Sequence, residues 1–308
     1  MRIRLPEGDS GGRFTDVVGE LESLDDETLA IRRRNGELVL VAASDVVAAK
    51  PIGASLRSAI ELEEVAARGW PAPDSQWLGK WWLRAAGGFT ARANSVRPLG
   101  NPGVPIDDAL AFVRDWYGER GLPAQVQVVI GSSVDRELRR RRWTTNPEVA
   151  VCTATLAQVL ARLDERDTDR SGTSRSGAEL SGVPSSGWLS LFRGGDPPPA
   201  ALAILTGAPV VAFASVASET QTLAIARGAV EPPWVGLSAI EVAPTARRQG
   251  HGRAVIAAIL TWAREQGASR AYLEVLASNA PALALYESLG FTEHHRYACL
   301  EPPAPQAS

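Results

Sequence analysis

Apolar and polar residues alternate differently along the two parts of this chain. From residue 17 to residue 52, short apolar runs of strand type are separated by turn residues. Asn35-Gly36 stands between two of these runs, which is a strong signal for a hairpin turn. From residue 55 onward, apolar positions recur with helical spacing between further strand-like runs. The pattern therefore predicts a β-rich module followed by an α/β region.

The β-rich start is predicted to be a small domain of its own. A meander of about 50 residues with such turns resembles small SH3-like barrels. Pro51-Ile52-Gly53 is a suitable exit from it, so we place this barrel at residues 1–53. The resemblance concerns architecture and carries no function.

A middle α/β module is predicted over residues 54–163. It begins with a helix over residues 55–70 that stops at Trp70-Pro71. The remaining predicted elements are strands at 81–84 and 91–96, a helix at 106–119, a strand at 125–130 and a helix at 134–142. This order matches half of the layout predicted for the C-terminus, so we interpret the module as a degenerate repeat without a glycine motif.

Residues 164–187 are rich in Asp, Arg, Ser, Gly and Thr, a composition typical of a flexible linker. Beyond them, at 188–308, we predict the catalytic domain. Its predicted elements are short helices at 188–192 and 200–205, strands at 210–216, 222–227 and 235–242, a helix at 250–266, a strand at 271–276, a helix at 280–288, and strands from Phe291 to Leu300.

The candidate chemistry lies where a strand passes through a loop into a long helix, at residues 240–253. Arg247, Gly250 and Gly252 follow the pattern Arg-x-x-Gly-x-Gly. Glycines at a helix start allow a ligand to approach the backbone, and the free N–H groups and dipole of the first turn favour an anion. The amides of residues 249–253 are therefore suited to a pyrophosphate, with charge-assisted contacts from Arg247, Arg248 or Arg253.

A second block, residues 272–291, follows in the sequence Tyr-Leu-Glu-Val-Leu-Ala-Ser-Asn-Ala-Pro-Ala-Leu-Ala-Leu-Tyr-Glu-Ser-Leu-Gly-Phe. In order and spacing the two blocks resemble the GNAT superfamily of acetyltransferases, over about residues 200–300. The resemblance implies a mixed α/β sheet at the C-terminus and acetyl-CoA as co-substrate. The Leu-Glu-Val-x-Ala-Ser-Asn stretch is similar to that of the ribosomal-protein alanine N-acetyltransferases.

The resemblance also implies roles for individual residues. Backbone groups of Ile240, Glu241 and Val242 would pair with the pantetheine arm like an added strand. The residues implied to hold the pyrophosphate are Arg247, Arg248, Gln249, Gly250, His251, Gly252 and Arg253. Asn279 would hydrogen-bond the cofactor, although it also suits a helix N-cap.

Two residues are candidates for proton transfer. An amine must lose a proton to attack the thioester, and the leaving thiolate needs a donor. The resemblance places Tyr286 near the cofactor sulfur, where its phenol suits the donor role. Glu274 matches the base proposed for the alanine N-acetyltransferases, directly or through a water, whereas a strand Glu is just as often a solvent-facing residue.

Composition and net charge argue against several classes of binding partner. The net charge of −3 argues against nucleic acid, so Arg139-Arg140-Arg141-Arg142 is interpreted as a solvated face. With two distant cysteines and no long apolar stretch, we expect a cytoplasmic protein without membrane contact, and no cysteine intermediate. His294-His295 point to opposite faces of a strand, so no metal is predicted. A homodimer is one arrangement that the sequence allows.

The leading function is transfer of acetyl from acetyl-CoA to a primary amine of a small molecule, a peptide N-terminus or a lysine, in a ternary complex. One alternative is a tandem acetyltransferase resembling mycothiol synthase, with a cysteinyl amino-sugar acceptor. A second is a regulatory protein that binds acetyl-CoA without catalysis. The acceptor itself is not predicted, because variable loops form that side of the fold.

Overall fold

The protein is described by a computed structural model that covers residues 1–4, 14–24, 27–33, 35–48, 54–145, 147–168 and 177–303. The chain forms two compact units, Met1–Gly53 and Ala54–Ser308. In the described part of the chain, no helix is both long and apolar enough to cross a lipid bilayer.

The first unit contains two three-stranded antiparallel sheets, ordered β2-β1-β6 and β3-β4-β5. Its strands are β1 Arg2–Arg4, β2 Phe14–Asp16, β3 Glu20–Leu24, β4 Thr28–Arg32, β5 Leu38–Ala42 and β6 Val46–Ala48. The predicted hairpin is confirmed, since Gly36 has a φ of 86° and the Glu37 amide donates to Asn35 Oδ1 at 3.1 Å. The predicted exit at residues 51–53 lies outside the described residues.

The second unit is a mixed α/β structure. Its helices are α1 Leu56–Gly69, α2 Ile106–Gly118, α3 Ser133–Arg140, α4 Leu156–Thr168, α5 Ser186–Leu191, α6 Pro199–Thr206, α7 His251–Glu265 and α8 Ala280–Ser288. Its strands are β7 Asp74–Leu78, β8 Trp81–Ala85, β9 Arg97–Pro98, β10 Val126–Val129, β11 Thr144–Thr145, β12 Val149–Thr155, β13 Glu179–Ser181, β14 Val211–Ala217, β15 Thr222–Glu231, β16 Trp234–Val242, β17 Arg270–Leu276 and β18 Thr292–Glu301.

One large sheet organises this unit. Its strand order is β10-β18-β12-β17-β16-β15-β14-β13, with β11 beside β18. All neighbours are antiparallel except β16 and β17, which are parallel, so the predicted mixed sheet is confirmed. β12 lies between β17 and β18, and the segments 54–163 and 188–308 therefore build a single sheet together.

The predicted linker at 164–187 includes regular structure at both ends. Residues 164–168 belong to α4, and β13 extends the sheet by pairing with β14. Residues 169–176 lie outside the described part.

The prediction of a strand at 91–96 is wrong. Ala91–Ala93 form a short 3-10 turn, and the Asn94 side chain organises the loop around it. Asn94 Oδ1 accepts from the amides of Ala86 and Gly88 at 2.7 and 3.0 Å, while Nδ2 donates to the carbonyls of Phe89 and Thr90. These local bonds replace a ladder partner, as Asn side chains commonly do in turns.

Helices cover both faces of the sheet. α7 and α4 bury an apolar stripe against one face, with Val255, Ile259 and Val159 in a shared core. α1 lies on the other face, where Leu62 and Ala66 meet Tyr272. The regular alternation of strand side chains between the two faces produces this three-layer arrangement.

Candidate functional site

The two parallel strands at the centre of the sheet diverge. β16 pairs with β17 only from Trp234 to Leu237, although both strands continue further. On its other side β16 stays paired with β15 through a one-residue bulge at Ala239, whose φ is +50°. A bulge bends a strand and increases its twist, which turns the end of β16 away from β17. A cleft opens between them.

Ile240, Glu241 and Val242 form one edge of this cleft. Their strand is paired with β15, and its register with β17 has already ended at Leu237. Their backbone groups on the cleft side can therefore accept an added extended ligand. The Glu241 carboxylate points toward Arg193, since both its oxygens accept from the Arg193 amide at 3.1 Å. Burial raises the pKa of Glu241.

The glycine loop closes the end of the cleft at the start of α7. Gly250, the N-cap, has a φ of +91°, a conformation that side chains with a Cβ strongly disfavour. The intrahelical bonds of α7 begin with the Arg253 and Ala254 amides, which donate to the Gly250 carbonyl. The amides of His251 and Gly252 precede them and remain directed out of the helix end.

The side chains of the loop divide into two groups. Arg247, Arg248 and Gln249 are exposed around the helix end, where the arginines can add positive charge. Arg253, by contrast, donates from Nη2 to Ser288 Oγ at 2.8 Å, so its guanidinium faces α8. The structure thus gives Arg253 a role in holding the two helices together.

The second predicted block lies on α8. Asn279 caps this helix, because its Oδ1 accepts from the Ala282 amide at 3.3 Å. Tyr286 is partly buried and meets Phe291 edge-on, with ring centroids 6.1 Å apart. Burial raises the pKa of the Tyr286 phenol to about 12, so it remains protonated at neutral pH.

Glu274 occupies the β17 side of the cleft, but it does not face solvent. Its side chain is 3% exposed and forms an ion pair with Arg92, while Oε1 lies 3.8 Å from Arg97. The carboxylate therefore lies beside two guanidiniums. The sequence did not indicate this arrangement, because Arg92 and Arg97 belong to the middle segment.

A buried charged cluster extends from Glu274 toward α1. Arg84, Arg97 and Arg227 are each at most 1% exposed, and Arg92 completes a set of four guanidiniums around Glu63 and Glu274. Burial lowers the pKa of Arg227 to about 9, which leaves it charged at neutral pH. A sequence signal did exist: Leu83-Arg84-Ala85 and Ala226-Arg227-Gly228 each place one arginine inside an apolar strand.

Glu63 ties the cluster together and gives it a measurable pH dependence. Burial opposes ionisation of Glu63, but Arg97 and a hydrogen bond with His295 outweigh it and lower its pKa. A carboxyl group whose pKa is lower in the folded state than in the unfolded state stabilises the fold at pH values above its unfolded-state pKa. That stabilisation is lost as the pH falls toward the folded-state pKa.

We expect Glu63→Gln to lower the free energy of unfolding by about 3 kcal/mol at pH 7. Urea unfolding should show a constant difference at neutral pH that shrinks as the pH falls below about 4.5, and a difference that does not shrink there would contradict the assignment.

His294 and His295 contact each other and Glu63. Their Nδ1 atoms are 2.8 Å apart, and His295 Nε2 lies 3.0 Å from Glu63 Oε1. Among the described residues, no group of three or more metal-binding side chains occurs. The pair therefore belongs to the buried polar cluster.

A small cavity lies where β16 and β17 begin to diverge. It has a volume of about 10 Å³ and is lined by Trp70, Arg92, Arg227, Ser238, Tyr272 and Glu274. Arg92 stacks on Trp70, with its guanidinium carbon 4.2 Å from the ring centroid. Trp81, Trp116 and Trp143 do not line it and are core residues instead. Trp70, at the end of α1, lies beside the site.

Comparison with known protein families identifies the family to which this chain belongs. Residues 56–300 match the family described as "Probable histone acetyltransferase Rv0428c C-terminal". The chain belongs to this family, within the GNAT superfamily of N-acetyltransferases. Residues 1–50 match the "Rv0428c N-terminal Sm-like domain". The small β domain is therefore confirmed, while its predicted SH3-like character is not.

Individual relatives of this acetyltransferase support the same family assignment. It is 32% identical to the "Probable histone acetyltransferase Rv0428c" of Mycobacterium tuberculosis, over 96% of this chain and 91% of that protein. Over 54 residues, 18% of this chain and 36% of the other, it is 50% identical to the ribosomal protein bS18 alanine N-acetyltransferase of Escherichia coli. A GCN5-related N-acetyltransferase from Kribbella flavida shares the fold, with a TM-score of 0.55, 14% identity, and coverage of 80% and 96% of the two chains. The predicted superfamily and the local similarity to alanine acetyltransferases are confirmed.

Proposed function

We propose that this enzyme binds acetyl-CoA in the cleft between β16 and β17 and transfers the acetyl group directly to a primary amine. The observation that carries the proposal is the divergence of the two parallel strands beyond Leu237, beside a helix that begins with Gly250 and Gly252. The diphosphate would accept hydrogen bonds from the amides of residues 249–253. The pantetheine arm would then run along Ile240–Val242 toward the bulge.

The acetyl end would lie near Ser238 and Ala239, with Tyr286 as proton donor. The amine nitrogen attacks the thioester carbon, the C–S bond breaks, and the thiolate takes the proton of the Tyr286 phenol. The proton lost by the amine goes to a base and returns through solvent to Tyr286, so the net reaction moves one acetyl group and one proton. A phenol with a pKa of about 12 is fully protonated and suits this role.

Direct transfer is favoured over an acyl-enzyme by the state of the thiols. Cys152 and Cys299 are both buried, and burial raises the pKa of each to about 11. A thiol becomes a good nucleophile only as thiolate, which such values suppress at neutral pH. Neither cysteine is therefore placed to carry the acetyl group.

The middle segment repeats the order of the catalytic elements, which supports the interpretation of residues 54–163 as a duplicated unit. β7-β8-β9, α2, β10 and α3 correspond to β14-β15-β16, α7, β17 and α8, and Val96 bridges Val126 in parallel. The start of α2 carries Asp107 and Asp108. Their charge opposes an anion at that helix end, so we assign acetyl-CoA to the C-terminal site alone.

The test is acetyl transfer by the purified full-length enzyme, followed as release of CoA thiol from acetyl-CoA. A panel of small amines, peptides with free N-termini and lysine peptides covers the three acceptor classes. We expect amine-dependent thiol release and an N-acetylated product detected by mass spectrometry. Tight acetyl-CoA binding with no transfer to any acceptor would instead support the regulatory alternative.

Glu274 is the proposed base, and its ion pairs allow the role to be separated from structure. Glu274→Gln should slow transfer by about 100-fold, because an amide cannot take the proton of the attacking amine. It should also lower the free energy of unfolding by about 3 kcal/mol, since it leaves Arg92 without its carboxylate.

Arg92→Gln breaks the same ion pair while retaining the carboxylate, which makes it the control for Glu274→Gln. If both variants lose the same activity and keep the same pH profile, Glu274 is a structural residue and not the base.

A further inference from the structure

Arg227 is a buried cation that forms no ion pair with any residue the structure describes. It lies in β15, is 1% exposed and is directed to the face of the sheet that α1 covers. Its Nε donates to the Leu205 carbonyl at 2.7 Å, and Nη1 donates to the Gly69 carbonyl and Ser238 Oγ at 3.0 and 3.3 Å. Nη2 has no hydrogen-bond partner among the described residues. An isolated buried charge is costly, so its retention calls for a reason.

The surroundings of Arg227 do not neutralise it. Arg92 is near enough to repel it, and Glu274, the carboxylate of the same cavity, is already paired with Arg92. Glu63, in turn, forms an ion pair with Arg97. Across the buried cluster, four guanidiniums face two carboxylates, which leaves an excess of positive charge in a region that excludes water.

The buried, unpartnered Nη2 belongs to a side chain that borders the cavity. Arg227 lines the small cavity at the root of the cleft together with Ser238 and Glu274. A volume of about 10 Å³ accommodates one water-sized group, such as a carboxylate oxygen entering from the cleft. The acetyl end of the cofactor is proposed to lie beside Ser238, so an acceptor amine must come close to this same point.

We propose that Arg227 binds a carboxylate of the acceptor, so that the substrate is an amine carrying an acidic group on the same small skeleton. The inference rests on the proposed acetyl-transfer function. Glu274 Oε2 is paired with Arg92, but Oε1 has no hydrogen-bond partner among the described residues and would attract the amine end, while Arg227 would attract the acid end. A basic peptide would instead bring further positive charge toward a cluster that already has an excess.

The test uses three amino acids and their carboxamides as probes, namely glycine, β-alanine and γ-aminobutyrate, which vary the distance between amine and acid. Binding to full-length enzyme saturated with CoA is measured by calorimetry, so no turnover is needed. We expect at least one acid to bind about tenfold more tightly than its amide, since a charge-assisted bond contributes that much.

Three variants identify the residue responsible. In Arg227→Gln the preference for acid over amide should fall to about one, whereas Arg227→Lys should keep part of it. Arg57→Gln, which removes an arginine that is 78% exposed, should keep the preference in full. Equal binding of every acid and its amide to the wild-type enzyme would overturn the proposal, as would a preference that survives in Arg227→Gln.

The same titration separates this inference from the proposed function. CoA is added first, and a lack of CoA binding would count against the acetyltransferase site itself. Normal CoA binding without an acid preference would count against the role of Arg227 alone. Should Arg227→Gln fail to fold, the comparison of acid with amide in the wild-type enzyme and in Arg227→Lys decides the question.

Discussion

Replacing Gly252 with aspartate is expected to weaken acetyl-CoA binding by about 100-fold while leaving the fold intact. Gly252 is the second residue of α7, and a carboxylate there would occupy the place proposed for the diphosphate. Two like charges about 4 Å apart near a protein surface repel by about 4 kcal/mol, and salt reduces this toward the 2.8 kcal/mol of a 100-fold effect.

The same substitution should not destabilise the helix. A carboxylate in the first turn interacts favourably with the helix dipole, by about 0.3–1 kcal/mol, and aspartate forms helix better than glycine. Calorimetric titration with CoA and a thermal unfolding curve would measure the two effects separately. A weaker affinity together with an unchanged or higher Tm is the expected combination.

Gly252→Ala is the matched control. An added Cβ would lie 3.3 Å from Val242 Cγ2, a side-chain methyl that can shift by the few tenths of an ångström required. We expect the alanine variant to bind CoA within about threefold of the wild type, since it adds no charge. Aspartate and alanine variants that both bind CoA as tightly as the wild type would show that no anion binds at the start of α7.

Removing the Tyr286 hydroxyl is expected to lower kcat by about 100-fold with little change in acetyl-CoA affinity. Phenylalanine keeps the ring and its edge-on contact with Phe291, so the fold should be preserved. The substitution removes only the proton donor, and general acid catalysis contributes about 100-fold or more. Stopped-flow or steady-state thiol release gives kcat, and calorimetry gives the cofactor affinity.

The pH dependence provides an independent check on Tyr286. Because burial raises its pKa to about 12, ionisation of this phenol should not shape the rate between pH 6 and pH 9. The Tyr286→Phe variant should therefore show a lower rate with the same profile across that range. An unchanged kcat would exclude the donor role, and the loss of an alkaline limb near pH 8 would contradict the protonation state.

Much of the C-terminal part of the site could be predicted from the sequence, because its elements are formed by residues that are neighbours in the chain. The glycine loop, α7 and α8 are each built from residues close together in the chain, so periodicity and caps indicate them directly. Asn279 as N-cap follows from the same local signals, whereas the role of Ile240–Val242 was implied by the resemblance to the superfamily.

The other wall of the site could not be predicted in this way. Glu274 meets Arg92 across 182 residues, and Glu63 meets His295 across 232. No local spacing relates such partners, because they come together only when β12 from the middle segment enters the catalytic sheet. For the same reason the sequence suggested a solvent-facing alternative for Glu274, whereas the structure buries it.

The names of the relatives leave the acceptor open. One carries the description of a probable histone acetyltransferase, and another acetylates the alanine of a ribosomal protein. The positive excess around Arg227 and Arg92 in this chain favours an acidic acceptor over a lysine-rich one. The proposed preference is thus a property of the residues that line this cavity.

A crystal structure of the enzyme with acetyl-CoA would show whether the cofactor occupies the cleft between β16 and β17. We predict diphosphate oxygens within hydrogen-bond distance of the amides of residues 249–253, the pantetheine arm paired with Ile240–Val242, and the sulfur beside Tyr286. A cofactor bound elsewhere, or a diphosphate remote from the start of α7, would contradict the account.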